Sequence, residues 1–458
     1  MKQSRIFVLA IAALMGISSF LASKTQACTT AVLSGRFTAS GRPMIWKLRD
    51  TEAYANHIRR FEGAKGYFVG LVNDEDTAGD AVWGGHNACG FAIMNSASFN
   101  VNQNDTSSIA DCEGTFMKRA LSECATLADF EALLNSLPKP MGLASHFGVI
   151  DAEGGAAFYE VNNYTWTKFD AAEAPEGYII RTNYSFTGTK DVGYGYVRFR
   201  TASELFAAVP AGAMTSLLLG GDISRSMLNS QTKTDYRALA KRGDNPSEFI
   251  DSDDLISRYD TASMILVEGV KKGEDPALTT SWVQVGNPHI CPLLPVWTWQ
   301  EVPATLARPD AKEVAWHLLK TASDARPVAN EAALNRQNAD ADACTAPVLT
   351  QKAAAPAKPC TAARGTVAQK ALLLKKRLYP LTTVEETRYL YLPLVVRPDG
   401  EGLSQRYYRL ESGFVPAISA SADRAERARL QNELINKSLA LMDDALERER
   451  DGFDGIRR

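Results

Sequence analysis

The chain has 458 residues, 45% of them hydrophobic and 22% charged, with a formal net charge of −3. That balance is ordinary for a soluble globular protein, and the lack of a basic stripe argues against nucleic acid as a partner. The length is ample for a large core and sets an expectation of two or three domains.

Residues 1–27 read as a secretory signal. Lys2 and Arg5 give a positive start, Ile6 to Ala22 an apolar stretch, and Thr25-Gln26-Ala27 the small residues that a leader peptidase reads. Cutting after Ala27 would make Cys28 the first residue of the mature protein. An α-amine (pKa about 7.7–8.0) and a thiol (about 8.5) would then share one residue, so near neutral pH the amine can take the thiol proton. Two other readings of Cys28 stand beside this one: a lipid-anchor cysteine and half of a disulfide. Thr25, where a lipidation signal usually has leucine, argues against the anchor. No later apolar run approaches the roughly 20 residues that a membrane span needs, so a soluble, exported product is expected, periplasmic or extracellular.

Thr29 to Leu33 and Met44 to Trp46 read as two strands of a hairpin around the turn Ser40-Gly41-Arg42-Pro43. Gly90 to Met94 is a further strand, entered through a turn at Gly84-Gly85. Phe116 to Leu137 has helical spacing and stops at Pro138. Phe147 to Ile150 and Ala156 to Val161 form a hairpin around Asp151 to Gly155. Tyr178 to Ile180, Ala262 to Val267 and Thr280 to Val285 complete the strands. Together they predict an α/β or α+β core over residues 28–320. Residues 321–366, rich in Ala, Pro, Thr and Asp, read as a loop or linker. Residues 367–458 read as a helical C-terminal extension, with helices over Thr366 to Tyr379 and Ser421 to Glu449.

The cysteine count is seven, and an odd count in an exported chain leaves at least one thiol unpaired or paired between molecules. If Cys28 is the free one, Cys112–Cys124 and Cys344–Cys360 are the local pairs. The five histidines show no paired metal spacing. No serine stands in a Gly-x-Ser-x-Gly elbow, and the Gly-Gly of "WGGH" lacks a phosphate-binding pattern.

Five pieces starting at Cys28 carry a resemblance. "CTTAVLSGRFTASGRPMIWKLRD", "GGHNACGFAIMNSASF", "GYIIRTNYSF", "YVRFRTASELF" and "TTSWVQVGNP" resemble, in this order, the segments of the cysteine N-terminal nucleophile hydrolases. That group holds the choloylglycine hydrolases, the penicillin V acylases and the acyl-coenzyme A:6-aminopenicillanic acid acyltransferases. The resemblance spans about residues 28–295. It implies a four-layer αββα sandwich, with the helical extension added, and Cys28 as the nucleophile. It also implies Asp50 as the carboxylate that holds the α-amine and Asn95 and Asn183 as oxyanion donors. Arg198, with Arg200 as fallback, matches the site arginine. Lys47 stands where the group has arginine, and Arg49 lies two residues on; a site arginine and aspartate three positions apart, as the resemblance implies, would need a turn or bulge between them. The expected reaction is hydrolysis of a linear amide of a small molecule through an acyl-Cys28 intermediate, without metal or organic cofactor. An acyltransferase, an exported dipeptidase of the same superfamily and a non-enzymatic lipoprotein are the alternatives, and a homo-oligomer is left open. Tyr54, Phe61, Tyr67, Phe68 and Phe99 are candidates for an apolar acyl pocket.

Overall fold

The computed structural model describes residues 27–107, 111–244, 249–308, 366–378 and 389–452. Residues 1–26 of the expected leader, nearly all of the expected linker and the expected Cys344–Cys360 pair lie outside these residues.

The strands assemble into two large antiparallel sheets, with two separate two-stranded pairs beside them, and the fold is of the mixed α+β class. In one, β1 (Cys28–Leu33) lies between β2 (Met44–Asp50) and β10 (Tyr178–Arg181); Thr261–Glu268, Thr280–Gln284 and Leu294–Val296 then extend it from β2. The other has seven strands in sequence order: β3 (Asn56–Gly63), β4 (Gly66–Asn73), β5 (Gly84–Asn87), β6 (Ala92–Ala97), β7 (Ser145–Ile150), β8 (Ala156–Val161) and β9 (Trp166–Asp170).

The sheets pack face to face, β1 and β2 lying over β6 and β7. Every residue of β1 and β2 is buried, which is why their sequences read as continuous runs rather than as alternation. Gly148 of β7 makes the close approach possible: a Cβ there would stand 2.3 Å from Met94 Cε and 2.8 Å from Val32 Cγ2. On its outer face the seven-stranded sheet carries helices Glu113–Glu123 and Leu127–Ser136, joined to it through Phe116, Phe130, Phe147 and Tyr159. The outer face of the other sheet carries helix Tyr196–Ala207 and the π-helix Leu217–Asp222, on which helix Leu403–Ala420 packs.

Three local expectations need correction. The helix read over Phe116 to Leu137 is two helices, because Thr126 and Asp129 form a reciprocal capping box that starts a second one. Gly84-Gly85 begins β5 and is not the turn; the reversal falls at residues 88–91. The Cys112–Cys124 pair does not form: Cys124 is free, while Cys112 is disulfide-bonded elsewhere. The two cap opposite ends of one helix, about 18 Å apart at 1.5 Å per residue, far beyond the roughly 7 Å that a disulfide spans. No helix among the described residues is long and apolar enough to cross a membrane.

Candidate active site

β1 begins at Cys28, and the first residue of a central strand is buried between the two sheets. Cys28 is 4% exposed. It pairs across the ladder with Arg49, so their side chains share a face, and Lys47 lies on that face two residues along. Asp50 follows at the end of β2, on the other face. β2 itself is regular. The irregularity expected near Asp50 sits in the facing strand, where Thr261 pairs with Asp50 and Ser263 with Arg49, leaving Ala262 unpaired.

Two polar groups meet at Cys28. Towards the seven-stranded sheet, Lys47 Nζ donates to Asn95 Oδ1 at 2.6 Å and to the Trp83 carbonyl at 3.1 Å. Asn95 Nδ2 in turn donates to Glu113 Oε2 at 2.5 Å and to Ser145 Oγ at 3.3 Å. Both amide protons of Asn95 are thus directed at Glu113 and Ser145, and the residue presents its carbonyl to Lys47. On the other side, Asn183 Oδ1 accepts from the Cys28 nitrogen at 3.0 Å and from Arg198 Nη2 at 2.7 Å. Arg198 Nη1 donates to the Cys28 carbonyl at 2.6 Å and lies 3.9 Å from Asp50 Oδ2. Thr261 Oγ1 donates to Asp50 Oδ1 at 2.6 Å. Asp50 Oδ2 is buried and has no hydrogen-bond partner among the described residues.

The site brings together Cys28, Lys47, Asp50, Asn95, Asn183 and Arg198. Arg200 is exposed and stands apart. The Asp50 N–H donates to the Ala27 carbonyl at 2.8 Å.

Burial dominates the electrostatics. It pushes the Cys28 thiol up, offset in part by the Lys47 ammonium. Burial also brings Lys47 down to about 8, opposed by the pull of Cys28. Asp50 is raised well above the usual carboxylate range by burial first and by Asp260 next, with Arg258 and Arg198 opposing. Glu113 is raised by burial and then by Asp111.

Glu113, Asp260 and Arg258 were not among the residues read from the sequence. Glu113 opens a helix, where an acidic residue is commonplace. The Arg258–Asp260 pair, 2.9 Å apart, sits in an unremarked loop before the strand Thr261–Glu268. A buried acid inside an otherwise apolar helix face was the one available signal, and only for Glu113. Of the aromatic residues expected to line an acyl pocket, Phe61 and Phe68 stack on each other in the helix-side core. Tyr67 is exposed under Arg60. Phe99 is beside the site: its N–H donates to the Asn183 carbonyl and its ring meets Tyr194 edge-on at 5.5 Å. Among the described residues no group of His, Cys, Asp or Glu is arranged to hold a metal.

Residues 81–201 match the family Acyl-coenzyme A:6-aminopenicillanic acid acyl-transferase. The match supports the N-terminal nucleophile hydrolase group. It takes in Asn95, Asn183 and Arg198, while Cys28, Lys47 and Asp50 precede it. No curated protein matches the chain. Among solved structures, penicillin V acylase from Agrobacterium tumefaciens is similar at 15% identity over 60% of this chain and 87% of its own, with a TM-score of 0.36. A variant of conjugated bile acid hydrolase from Clostridium perfringens is similar at 12% identity over 60% of this chain and 94% of its own, with a TM-score of 0.32.

Lys47 and Arg49 now separate by their partners. Lys47 contacts Asn95 beside the sulfur, whereas Arg49 Nη1 ties Asn56 and Asn73 of the β3–β4 hairpin at 2.9 and 2.8 Å, under the Trp83 ring. Lys47→Ala is expected to lower kcat/KM by about 100-fold, the cost of removing one preorganised charge. Arg49→Ala is expected mainly to lower Tm. Steady-state kinetics with thermal melts on both variants check this, and the reverse pattern would move the catalytic role to Arg49.

Proposed function

We propose that the protein is an exported cysteine N-terminal nucleophile hydrolase that cleaves the linear amide of an N-acyl small molecule through an acyl-Cys28 intermediate. The observation that carries this reading is the Cys28 nitrogen held by Asn183 Oδ1 while the buried Asp50 Oδ2 has no hydrogen-bond partner among the described residues. A free α-ammonium has two donors more than the amide now there. One would remain on Asn183 and another suits Asp50, a charge-assisted arrangement.

After removal of the leader, the α-amine takes the thiol proton and the sulfur attacks the amide carbonyl. Lys47 supplies the positive charge that favours the thiolate. The tetrahedral oxyanion needs preorganised donors that no other group takes. Asn183 uses one Nδ2 proton on the Ala97 carbonyl at 3.0 Å and keeps the other. The Asp50 N–H, bonded to Ala27 before the cut, becomes available after it. Asn95, with both protons directed elsewhere, acts by positioning Lys47. The ammonium then protonates the leaving nitrogen, and water releases the acyl group. An acceptor amine in place of water would make the same site an acyltransferase.

The expected mature protein is one chain beginning at Cys28 with an unmodified α-amine, read by intact mass. An added lipid mass would support the anchor reading. Two fragments on a reducing gel, in a protease-free preparation, would contradict maturation by the leader cut alone. Hydrolysis of conjugated bile salts, penicillin V, N-acyl amino acids and dipeptides then sorts the substrate class, with dipeptide cleavage alone favouring the dipeptidase.

A further inference from the structure

Lys47 lies diagonal to Cys28 across the β1–β2 ladder and on the same face, within the reach of a long side chain. Its buried amino group has two acceptors, Asn95 Oδ1 at 2.6 Å and the Trp83 carbonyl at 3.1 Å. Both acceptors are held by the start of one helix, Glu113–Glu123.

Glu113 holds the first. Its Oε2 takes an amide proton of Asn95 at 2.5 Å and meets Ser145 Oγ at 2.9 Å, while its Oε1 faces the Ala144 N–H at 3.4 Å. Gly114 holds the second. Its carbonyl accepts from the Val82 N–H at 3.1 Å, one residue before Trp83. A Cβ on Gly114 would stand 2.7 Å from the Ala81 Cβ and 3.4 Å from the Trp83 ring, so the glycine lets the helix seat against residues 81–83.

The bonds fix the direction of the Asn95 amide from both ends. An ammonium offers only protons, and an ionised carboxylate offers only lone pairs. Asn95 therefore turns its oxygen to Lys47 and its nitrogen to Glu113. Turned the other way, it would set N–H against N–H and oxygen against oxygen. Lys47, Asn95, Glu113 and Ser145 are all buried, and mismatched polar atoms are costly there. The charges around this row are Asp111, beside Glu113, and Cys28, Arg49 and Asp50, which face Lys47 from β1 and β2. Burial lowers Lys47, while Cys28 and Glu113 pull it the other way.

We propose that Glu113 is a positioning residue of the candidate active site: it holds the Asn95 amide with its carbonyl towards Lys47, and so keeps the Lys47 ammonium beside Cys28. This rests on the nucleophile reading above and deepens it, because a helix of the outer layer then sets the charge next to the sulfur. Without the Glu113 acceptor the amide is free to turn, Lys47 loses its shorter bond, and the thiolate loses part of its counter-charge.

The test needs no substrate. The mature full chain is treated with iodoacetamide from about pH 5 to 10, a range that spans the reference amine and thiol values. The rate is followed at the Cys28 peptide by mass spectrometry, which keeps the free cysteines Cys89, Cys124 and Cys291 out of the reading. Glu113→Met is expected to move the midpoint of Cys28 reaction upward by about one pH unit. Glu113→Gln, which keeps an acceptor oxygen for Asn95, is expected to stay within about 0.3 unit of the unaltered protein. The sign of the shift is decisive, since deleting a negative charge would by itself ease the thiolate and move the midpoint down. An unmoved or lowered midpoint in folded Glu113→Met overturns the proposal. So does a Glu113→Gln protein that behaves like Glu113→Met, which would make charge and not the direction of the amide the cause. In a Lys47→Ala protein, Glu113→Met is expected to add no further rise, and a full rise there overturns the route through Lys47. If Glu113→Met does not fold, Glu113→Asp gives the same reading: it keeps the charge, withdraws the acceptor from Asn95, and is expected to raise the midpoint. A wild-type Cys28 without any pH-dependent reaction would remove the nucleophile reading itself, and this proposal with it.

Discussion

Cys28→Ser is expected to leave the melting temperature close to that of the unaltered protein and to lower kcat on any cleaved amide by on the order of a thousandfold or more. The exchange keeps a small side chain at the head of β1, where the strand is held by ladder bonds to β2 and β10 rather than by the sulfur. What changes is acidity. The attacking species is the thiolate, and a hydroxyl is far harder to ionise beside the same amine. The Lys47 ammonium, which favours a charged sulfur, cannot offset a gap of that size. Steady-state kinetics on whichever substrate the panel identifies, together with a thermal melt, check both halves. Turnover retained within tenfold would end the mechanism, and a collapsed melt would show that the sulfur is needed for packing.

Glu411→Ala is expected to destabilise the protein by about 3–5 kcal/mol, because it strands a buried guanidinium. Glu411 lies on helix Leu403–Ala420 and grips Arg225 with both oxygens, at 2.7 and 2.8 Å. It also accepts from the Leu293 N–H at 2.8 Å. Both partners are essentially without exposure. Arg225 keeps carbonyl bonds to Gly221, Pro288 and Cys291 but loses its only counter-charge among the described residues. The measurement is a Tm that falls by several degrees. The informative control is the Arg225→Met/Glu411→Met double variant. Removing both charges spares the cost of an orphan, so the double variant is expected to be more stable than Glu411→Ala. A Glu411→Ala protein that melts like the unaltered one would show the pair to be energetically neutral.

What could be read in the sequence followed from periodicity and from order. The strands around β1, β7 and β8 carried continuous apolar runs with turn residues between them, and they fall where those runs stand. The candidate site residues Cys28, Lys47, Asp50, Asn95, Asn183 and Arg198 are readable only as an ordered set, since each alone is a common residue in a common place. Their division of labour was not readable. Asn95 looked like a donor to an oxyanion, but side-chain direction depends on Glu113 and Ser145, which come from a helix and a strand far along the chain. The β3–β4 hairpin was missed because its alternation is masked by charged residues such as Arg59, Arg60 and Glu62. Lys375, whose amino group is buried over the Tyr54 ring, was hidden for a different reason. A lysine in a helix of lysines and leucines gives no sign that the fold turns it inward, and Lys375 stands more than 320 residues after Asp50 and Tyr54.

The tail is bound to the core by more than one ion pair. Arg427 donates to the Thr280 hydroxyl and to the Leu278 carbonyl, Arg42 reaches the Ser419 carbonyl, and Ser404 reaches the His289 carbonyl. Trimming away the C-terminal helices would therefore not yield a leaner protein. It would uncover the apolar floor on which Tyr407, Val415 and Ile418 rest and leave several polar groups facing nothing. A shortened form should be recovered as aggregate, and natural variation in this protein should fall in loops and surface charge before it touches the last two helices.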